Sequence, residues 1–342
     1  MQVQETPADP CPLCNCRTSV VLFNAKDHQY KVSGLFQVAQ CRECGLIFLN
    51  PMPEGGKIEE YYAVDDLYAY GPITISSLRR LKNRFLSFCA KIYFGPPGKT
   101  IDRIAAALFF PIRKKLIPLS PFGHKVLDIG CGNGAYLLNL REIGWDVYGC
   151  ELSKSGTTVA MQNGLHVVQG SVFEARYPDS FFDVVRLGQV FEHIHKPDSL
   201  LKEVRRILKP SGLLIIGVPH GHSLSFRLFK QHWGLLGLPF HLFQYSASTL
   251  QKILSRNGFR VVEFKYIPML QCWMWSISNF LSEKFETKTE GGFLNYRLFI
   301  WTCRLSLFPL VRLLYFLRPG WADMIEVLAT QETPPPTFHA DV

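Results

Sequence analysis

The chain has 342 residues, 47% of them hydrophobic and 19% charged, so it is long enough for two domains or for one large domain with additions. Its formal net charge of +9 is localised, because residues 76–118 hold ten basic residues against one acid, Asp102, and the remainder is balanced. Ten cysteines in a chain this long favour a reducing compartment over a disulfide framework. The polar, acidic N-terminus is unlike a secretory signal, which predicts a cytoplasmic protein.

Four of the cysteines form two Cys-x-x-Cys pairs near the N-terminus. Four thiolates in this spacing predict a closed, tetrahedral and structural zinc site. Gly45 allows a tight turn after the second pair, and Cys16 is a spare thiol that could compete as a ligand. We therefore predict a zinc-ribbon module over residues 1–50, with its ligands at Cys11, Cys14, Cys41 and Cys44.

Residues 51–118 follow as a basic connector. Apolar residues lie between its charges, which predicts amphipathic helices. Such a segment fits an anionic membrane surface, a helical cap on the core or an oligomer interface, and nucleic acid is the less favoured partner. The oligomeric state is not indicated by the sequence.

Residues 119–267 alternate between strand and helix patterns. This alternation predicts a doubly wound α/β fold with a mostly parallel sheet, completed to seven strands by a strand returning after the C-terminal extension. Lys209 to Gly212 predicts a turn before the fifth strand. The predicted strands are 125–130, 146–151, 165–169, 182–187, 213–218, 259–266 and 322–329, and the predicted helices are 135–143, 154–163, 198–208 and 247–257.

The first of these strands ends in a glycine-rich turn with the order Asp-Ile-Gly-Cys-Gly-Asn-Gly. A turn of this kind lets a ligand approach backbone N–H groups at a helix N-terminus. The acid before the first glycine argues against a plain dinucleotide loop, in which we would expect none. The residues assigned to the ligand are Asp128, Gly130, Cys131, Gly132 and Gly134.

Further ligand residues are expected where the next strands end. Glu151 closes the second strand, 21 residues after Gly130, and can accept two ribose hydroxyls, with Leu152 beside it. Ser171 and Val172 follow the third strand and are assigned to the same ligand. Gln189, Glu192, His193 and His195 follow the fourth strand, at the edge where open α/β sheets bind ligands.

These motifs resemble class I S-adenosylmethionine-dependent methyltransferases. The resemblance rests on the Asp-x-Gly-x-Gly-x-Gly order, on Glu192-His193 and on residues 208–219, and it covers about 119–267. It implies a Rossmann-like fold and S-adenosylmethionine as cofactor, with the adenine ring beside Ser171 and Val172. The cysteine pairs, followed by residues 46–51, resemble a branch with sugar C-methyltransferases and proteins of bacterial surface-polysaccharide gene clusters.

Methyl transfer needs a base only when the nucleophile must lose a proton. His193, beside Glu192, is the first choice for that base and His241 the second, although a structural or cofactor-contacting His193 remains open. For His195 a loop or packing role is favoured. The acceptor implied is a small molecule or a sugar, which could be lipid-linked and met at the inner face of a membrane.

The last region, 268–342, is an apolar, basic extension. Over 293–318 it has no acid, and its arginines share an arc of about 120°, which predicts an interfacial helix kinked at Pro309 rather than a spanning one.

Two alternatives to the leading function are a zinc-ribbon RNA methyltransferase and a non-catalytic protein that binds S-adenosylmethionine.

Overall fold

The computed structural model describes residues 10–29, 32–53, 125–142, 144–285 and 307–332. The predictions for residues 54–118 of the connector, and for the arginine-bearing extension before residue 307, lie outside these ranges.

The N-terminal strands belong to a four-stranded antiparallel sheet. The cysteine pairs flank its first strands, and the last strand comes from a distant part of the chain, where the sequence predicted none. In the order of the sheet, the strands are β1 (Ser19–Ala25), β2 (Phe36–Cys41), β3 (Ile47–Leu49) and β9 (Phe243–Gln244).

The second sheet has seven strands in the order β10-β11-β8-β7-β4-β5-β6. These are β4 (Lys125–Ile129), β5 (Asp146–Glu151), β6 (His166–Gln169), β7 (Phe182–Gly188), β8 (Leu208–Pro219), β10 (Phe259–Ile267) and β11 (Met324–Gln331). Strand β4 pairs in parallel with β5 and β7, and β5 pairs in parallel with β6. The edge pair β10 and β11 is antiparallel. The predicted fold class, a Rossmann-like α/β sheet, is confirmed.

Helices connect most of these strands. They are α1 (Ala135–Glu142), α2 (Lys154–Gln162), α3 (Val172–Ala175), α4 (Pro197–Ile207), α5 (Leu224–Phe229), α6 (Ala247–Arg256), α7 (Leu270–Phe285) and α8 (Phe308–Leu317). Serine side chains start several of them, because a hydroxyl at the N-cap accepts a bond from a free backbone N–H. Ser153 caps α2, and Ser246 caps α6. None of the helices among the described residues is long and apolar enough to cross a membrane.

The central strands β4 and β7 are buried along nearly their whole length. Val126 and Leu127 on β4, and Val184 and Val185 on β7, have no exposed surface. Strands buried on both faces must be covered by helices on both sides, so their backbones are held rigidly. The rigid carboxyl end of β4 is where the glycine-rich turn begins.

The chain forms two compact units. One contains the described residues within 1–61, 189–201 and 216–332, and the other contains those within 62–188 and 202–215. The glycine-rich turn and Glu151 lie in the second unit, whereas the cysteine pairs and the Glu192-His193 loop lie in the first. The division of the sequence into four consecutive regions stays a prediction.

Candidate active site

The glycine-rich turn requires its glycines for backbone conformation. Gly130, Gly132 and Gly134 have φ values of +69°, +54° and +79°, a region that residues with a Cβ atom adopt at a cost. The backbone N–H groups of Gly130 and Cys131 donate to the Cys150 carbonyl, at 2.8 and 3.3 Å. The turn is therefore fastened to the end of β5, an arrangement that the sequence did not predict.

Asp128 lies in β4, two residues before the turn, and is almost fully buried. Its Oδ1 atom accepts a bond of 2.8 Å from the Arg186 guanidinium, which lies opposite it in register on β7. Burial raises the pKa of Asp128, and the Arg186 charge opposes that rise. Arg186 also stacks on the Tyr136 ring, 3.9 Å from its centroid. Arg186 therefore orients Asp128 and balances its charge.

Glu151 ends β5 with both carboxylate oxygens bonded to backbone. Oε2 accepts from the Gly132 N–H at 2.8 Å, and Oε1 accepts from the Ser153 N–H at 2.9 Å. The Gly132 N–H, one of the backbone groups that a ligand was expected to approach, is therefore bonded to Glu151. Each carboxylate oxygen has a second lone pair, so Glu151 can still accept a ribose hydroxyl. Leu152 beside it is 62% exposed.

Ser171, expected near an adenine ring, is the N-cap of α3. Its hydroxyl accepts from the Glu174 N–H, and Glu174 Oε2 accepts from the Ser171 backbone N–H at 2.7 Å, which completes a capping box. Val172 follows as a buried residue of the first turn. Local helix capping thus accounts for Ser171, and the adenine contact stays a prediction.

A second group of polar side chains surrounds Glu192, on a 3-10 turn (Phe191–His193) that follows β7. Glu192 has no exposed surface, and neither of its carboxylate oxygens has a hydrogen-bond partner. The Nε2 atoms of His193 and His241 lie 4.0 and 3.9 Å from Glu192 Oε1. Burial raises the pKa of Glu192 to about 8. We call these three residues the Glu-His-His cluster.

Main-chain carbonyls fix the two imidazoles of the cluster. His193 Nδ1 lies 3.1 Å from the Phe240 carbonyl, and His241 Nδ1 lies 2.9 Å from the Leu235 carbonyl. A carbonyl can only accept, so each Nδ1 carries the proton. Burial lowers the pKa of His241 to about 4. Burial and the charge of His241 lower the pKa of His193, whereas hydrogen bonds to the Phe240 and Gln189 carbonyls oppose that shift. The ring centroids are 4.7 Å apart, so the structure brings both predicted bases together.

The other residues predicted after the fourth strand are not part of this cluster. Gln189 adopts a positive φ of +61°, and its side-chain amide donates to the Gly217 carbonyl at 3.0 Å. His195 Nε2 lies 2.9 Å from the Pro53 carbonyl. The loop role that the sequence favoured for His195 agrees with this contact.

The four cysteines of the two pairs converge. Their Sγ atoms all lie within 4.8 Å of one another. Sγ of Cys11 is 3.5 Å from that of Cys44, and Sγ of Cys14 is 3.4 Å from that of Cys41. Tetrahedral zinc with bonds of about 2.3 Å would place sulfurs about 3.8 Å apart, so the set fits the ion. Cys16 instead contacts the Thr18 hydroxyl, at 3.0 Å.

Helix α6 holds the loops that carry these cysteines, a connection with no signal in the sequence. The Arg256 guanidinium donates to the Leu13 carbonyl and to the Asp198 carboxylate. Lys252 Nζ donates to the Cys44 carbonyl at 3.3 Å. Each cysteine pair is therefore tied to the same helix.

Comparison with known proteins identifies the core of the chain. Residues 96–264 match a family model described as "Methyltransferase domain". Together with the seven-stranded sheet, this match makes that part of the chain a class I, S-adenosylmethionine-dependent methyltransferase domain. The predicted class of enzyme is confirmed for this domain.

Relatives with curated names include proteins called "Ubiquinone biosynthesis O-methyltransferase". The one from Proteus mirabilis is 33% identical over 99 residues, which cover 27% of this chain and 40% of the relative. The one from Ruegeria sp. is 28% identical over 198 residues, covering 52% of this chain and 78% of the relative. The chain thus spans less than half the length of the first of these relatives. A solved structure of a SAM-dependent methyltransferase from Archaeoglobus fulgidus is 18% identical in sequence to this chain, with a TM-score of 0.41. The match covers 72% of this chain and 99% of the chain in that structure.

Proposed function

We propose that this protein transfers a methyl group from S-adenosylmethionine to a polar group of a small-molecule or glycan acceptor. The observation that carries the proposal is the glycine-rich turn between Asp128 and Glu151, within a methyltransferase domain. In this reaction the bond between sulfur and the methyl carbon breaks as the acceptor's bond to that carbon forms. S-adenosylhomocysteine leaves, and the acceptor loses one proton.

The donor half of the reaction is assigned to the turn. Asp128, held by Arg186, is proposed to accept from the ammonium group of the methionyl end. Glu151 is proposed to accept from the ribose hydroxyls through the lone pairs that its backbone bonds leave. Displacement at a sulfonium has a good leaving group, so orientation of the donor supplies much of the rate.

The acceptor half is assigned to the Glu-His-His cluster. Its loop follows Gly188, the last residue of β7, without a break in the chain. Buried acid and imidazole groups are suited to taking up a proton or to binding the oxygen that loses it. His193 is the residue we favour for this contact, followed by His241.

The acceptor atom is proposed to be a hydroxyl oxygen. Support comes from the relatives named O-methyltransferase and from the cluster, since a hydroxyl must lose its proton to be methylated. The acceptor could be a lipid-linked sugar met at a membrane surface. The cysteine pairs are proposed to bind one structural zinc ion, a role supported by their four converging sulfurs.

Calorimetry with S-adenosylmethionine tests the donor half. Asp128→Ala should weaken binding about 10- to 100-fold, the worth of one charge-assisted hydrogen bond. Asp183→Asn is the matched control, because Asp183 is a buried acid of β7 that bonds Lys125 and Lys209 instead. Equal affinity in the wild-type and Asp128→Ala proteins would refute the cofactor site.

Turnover tests the rest of the proposal. A donor carrying an isotope-labelled methyl group should label hydroxylated acceptors from a panel of sugars, lipid-linked sugars and phenols. Label on RNA alone would instead favour a zinc-ribbon RNA methyltransferase. Tight cofactor binding with no label on any acceptor or on RNA would favour a non-catalytic binding protein.

A further inference from the structure

The carboxylate of Glu192 is the least explained group among the described residues. It is fully buried, and neither oxygen receives a hydrogen bond. Burying an ionised carboxylate without partners is unfavourable, which is why burial raises the pKa of Glu192 to about 8. A ligand that binds the carboxylate would remove this cost.

The histidines beside Glu192 are arranged as metal ligands usually are. In each ring Nδ1 donates to a main-chain carbonyl, Phe240 for His193 and Leu235 for His241. For His241 this second contact fixes the tautomer and leaves the lone pair on Nε2, the atom that lies 3.9 Å from Glu192 Oε1. The His193 ring also bonds the Gln189 carbonyl, and its Nε2 lies 4.0 Å from the same oxygen. One ring nitrogen of each histidine and one carboxylate oxygen of Glu192 all lie within 4.8 Å of one another.

We propose that Glu192, His193 and His241 bind a divalent transition-metal ion, at a site separate from the four cysteines. Bonds of about 2.0–2.2 Å would place neighbouring donor atoms about 3.0–3.5 Å apart. The observed 3.9 and 4.0 Å separations need a contraction of less than about 1 Å, which small side-chain rotations supply. Imidazole and carboxylate donors suit zinc, iron, cobalt or manganese.

Three protein ligands leave coordination positions open, unlike the closed set of four thiolates. The use of these positions rests on the proposed function, whereas ion binding does not. An acceptor hydroxyl bound there would lose its proton to solvent more readily, because the ion stabilises the alkoxide. Such an alkoxide would be the nucleophile that the proposed methyl transfer requires, and the ion would then replace direct proton uptake by His193.

Titration with Co²⁺ tests the site directly. The full chain, with its cysteine-bound metal retained, should bind one equivalent and show visible absorption without a sulfur charge-transfer band. Glu192→Gln and His241→Gln should each weaken Co²⁺ binding at least about 10- to 100-fold, as loss of a ligand or of its support does. His195→Gln is the control, because His195 is in the same loop and contacts Pro53 instead.

The outcomes separate this proposal from the proposed function. Absence of Co²⁺ binding, or equal binding in Glu192→Gln, would overturn the metal site while leaving S-adenosylmethionine binding intact. Co²⁺ binding without cofactor binding would overturn the function alone. Melting curves without metal control for folding, since Glu192→Gln removes a buried, unpartnered carboxylate and should be at least as stable as the wild type.

Discussion

At the scale of single residues, the ion pair between the buried Asp128 and Arg186 supports the strand end from which the glycine-rich turn begins. The acid at Asp128 and the glycines after it could be recognised, because chemistry and backbone conformation restrict those positions to few residue types. The role of Arg186 could not be recognised from the sequence, because it depends on the register between β4 and β7. The available signal was an arginine among the apolar residues that follow Asp183 in β7.

The glycine-rich turn offers a prediction at this scale. A Cβ atom at Gly134 would overlap the Leu165 side chain and press on Ala160, in a backbone conformation with φ of +79°. Gly134→Ala should lower the free energy of unfolding by about 2–4 kcal/mol, as the sum of backbone strain and overpacking. Urea denaturation measures this loss.

Gly144→Ala is the matched control for that substitution. Gly144 also has a positive φ, +96°, but nothing lies within 4 Å of its added Cβ atom. Gly144→Ala should lower the free energy of unfolding by about 1 kcal/mol, the cost of the backbone conformation alone. Equal losses in the two variants would mean that packing against Leu165 contributes nothing.

At the scale of elements, local patterns predicted most of the central sheet. Strand β5 begins and ends where the sequence placed it, and α2 and α6 differ by one residue at their ends. The turn predicted from Lys209 to Gly212 is wrong, because β8 runs unbroken from Leu208. Lys209 bonds Asp183 on β7, a non-local contact that turn propensities do not contain.

The sequence did not predict strand β9, because this strand also depends on a contact between distant parts of the chain. It has two residues, too few for any periodicity, and it exists because Phe243 and Gln244 pair with Phe48 and Ile47 in β3. The same pairing fixes the backbone two residues after His241, a residue of the Glu-His-His cluster. The sequence predicted that His193 and His241 lie on loops, but it could not predict that their rings lie 4.7 Å apart.

Helix α8 provides a prediction at the scale of elements. One face packs through Val311 and Tyr315, while the other exposes apolar side chains, with Phe316 81% and Leu313 54% exposed. Pro309 lies in its first turn, where proline is tolerated. An exposed apolar face with arginines nearby is suited to the surface of an anionic membrane.

Sedimentation with anionic vesicles tests that face. Phe316→Glu should weaken binding at least about tenfold, since one buried phenylalanine is worth about 1.5–3 kcal/mol. Leu35→Glu is the control, because Leu35 is 63% exposed on the segment before β2. Binding should also fall with salt. Failure of the wild-type protein to sediment at low salt would remove the membrane proposal.

At the scale of the whole molecule, distant parts of the chain share one compact unit. The cysteine loops contact α6 through Arg256 and Lys252, more than 200 residues away in sequence. A zinc ion at the four sulfurs would therefore stabilise more than the first 50 residues. Such ions contribute to folding directly, because the unfolded chain has no preformed site.

Zinc release provides the prediction at this scale. A mercurial reagent that binds thiolates should free one zinc ion per chain, measured with a colorimetric indicator. Loss of the ion should lower the melting temperature by at least about 5–10 °C, because a few kcal/mol correspond to shifts of this size. Cys16→Ser, which removes the neighbouring thiol outside the cluster, should release the same amount of zinc. Zinc-free protein with an unchanged melting point would contradict the structural role.

Two backbone hydrogen bonds connect β3 to the acid of the cluster. The Leu49 N–H donates to the Leu242 carbonyl at 3.0 Å, and the Leu242 N–H donates to the Glu192 carbonyl at 2.9 Å. A chain shortened to begin after Asn50 would lack β3, so the Phe243–Gln244 backbone would lose the strand that pairs with it. The Leu242 carbonyl would lose its bond from Leu49. The N-terminal module should therefore not be removed without affecting the cluster. A fusion of the catalytic domain to another protein should include residues 10–50.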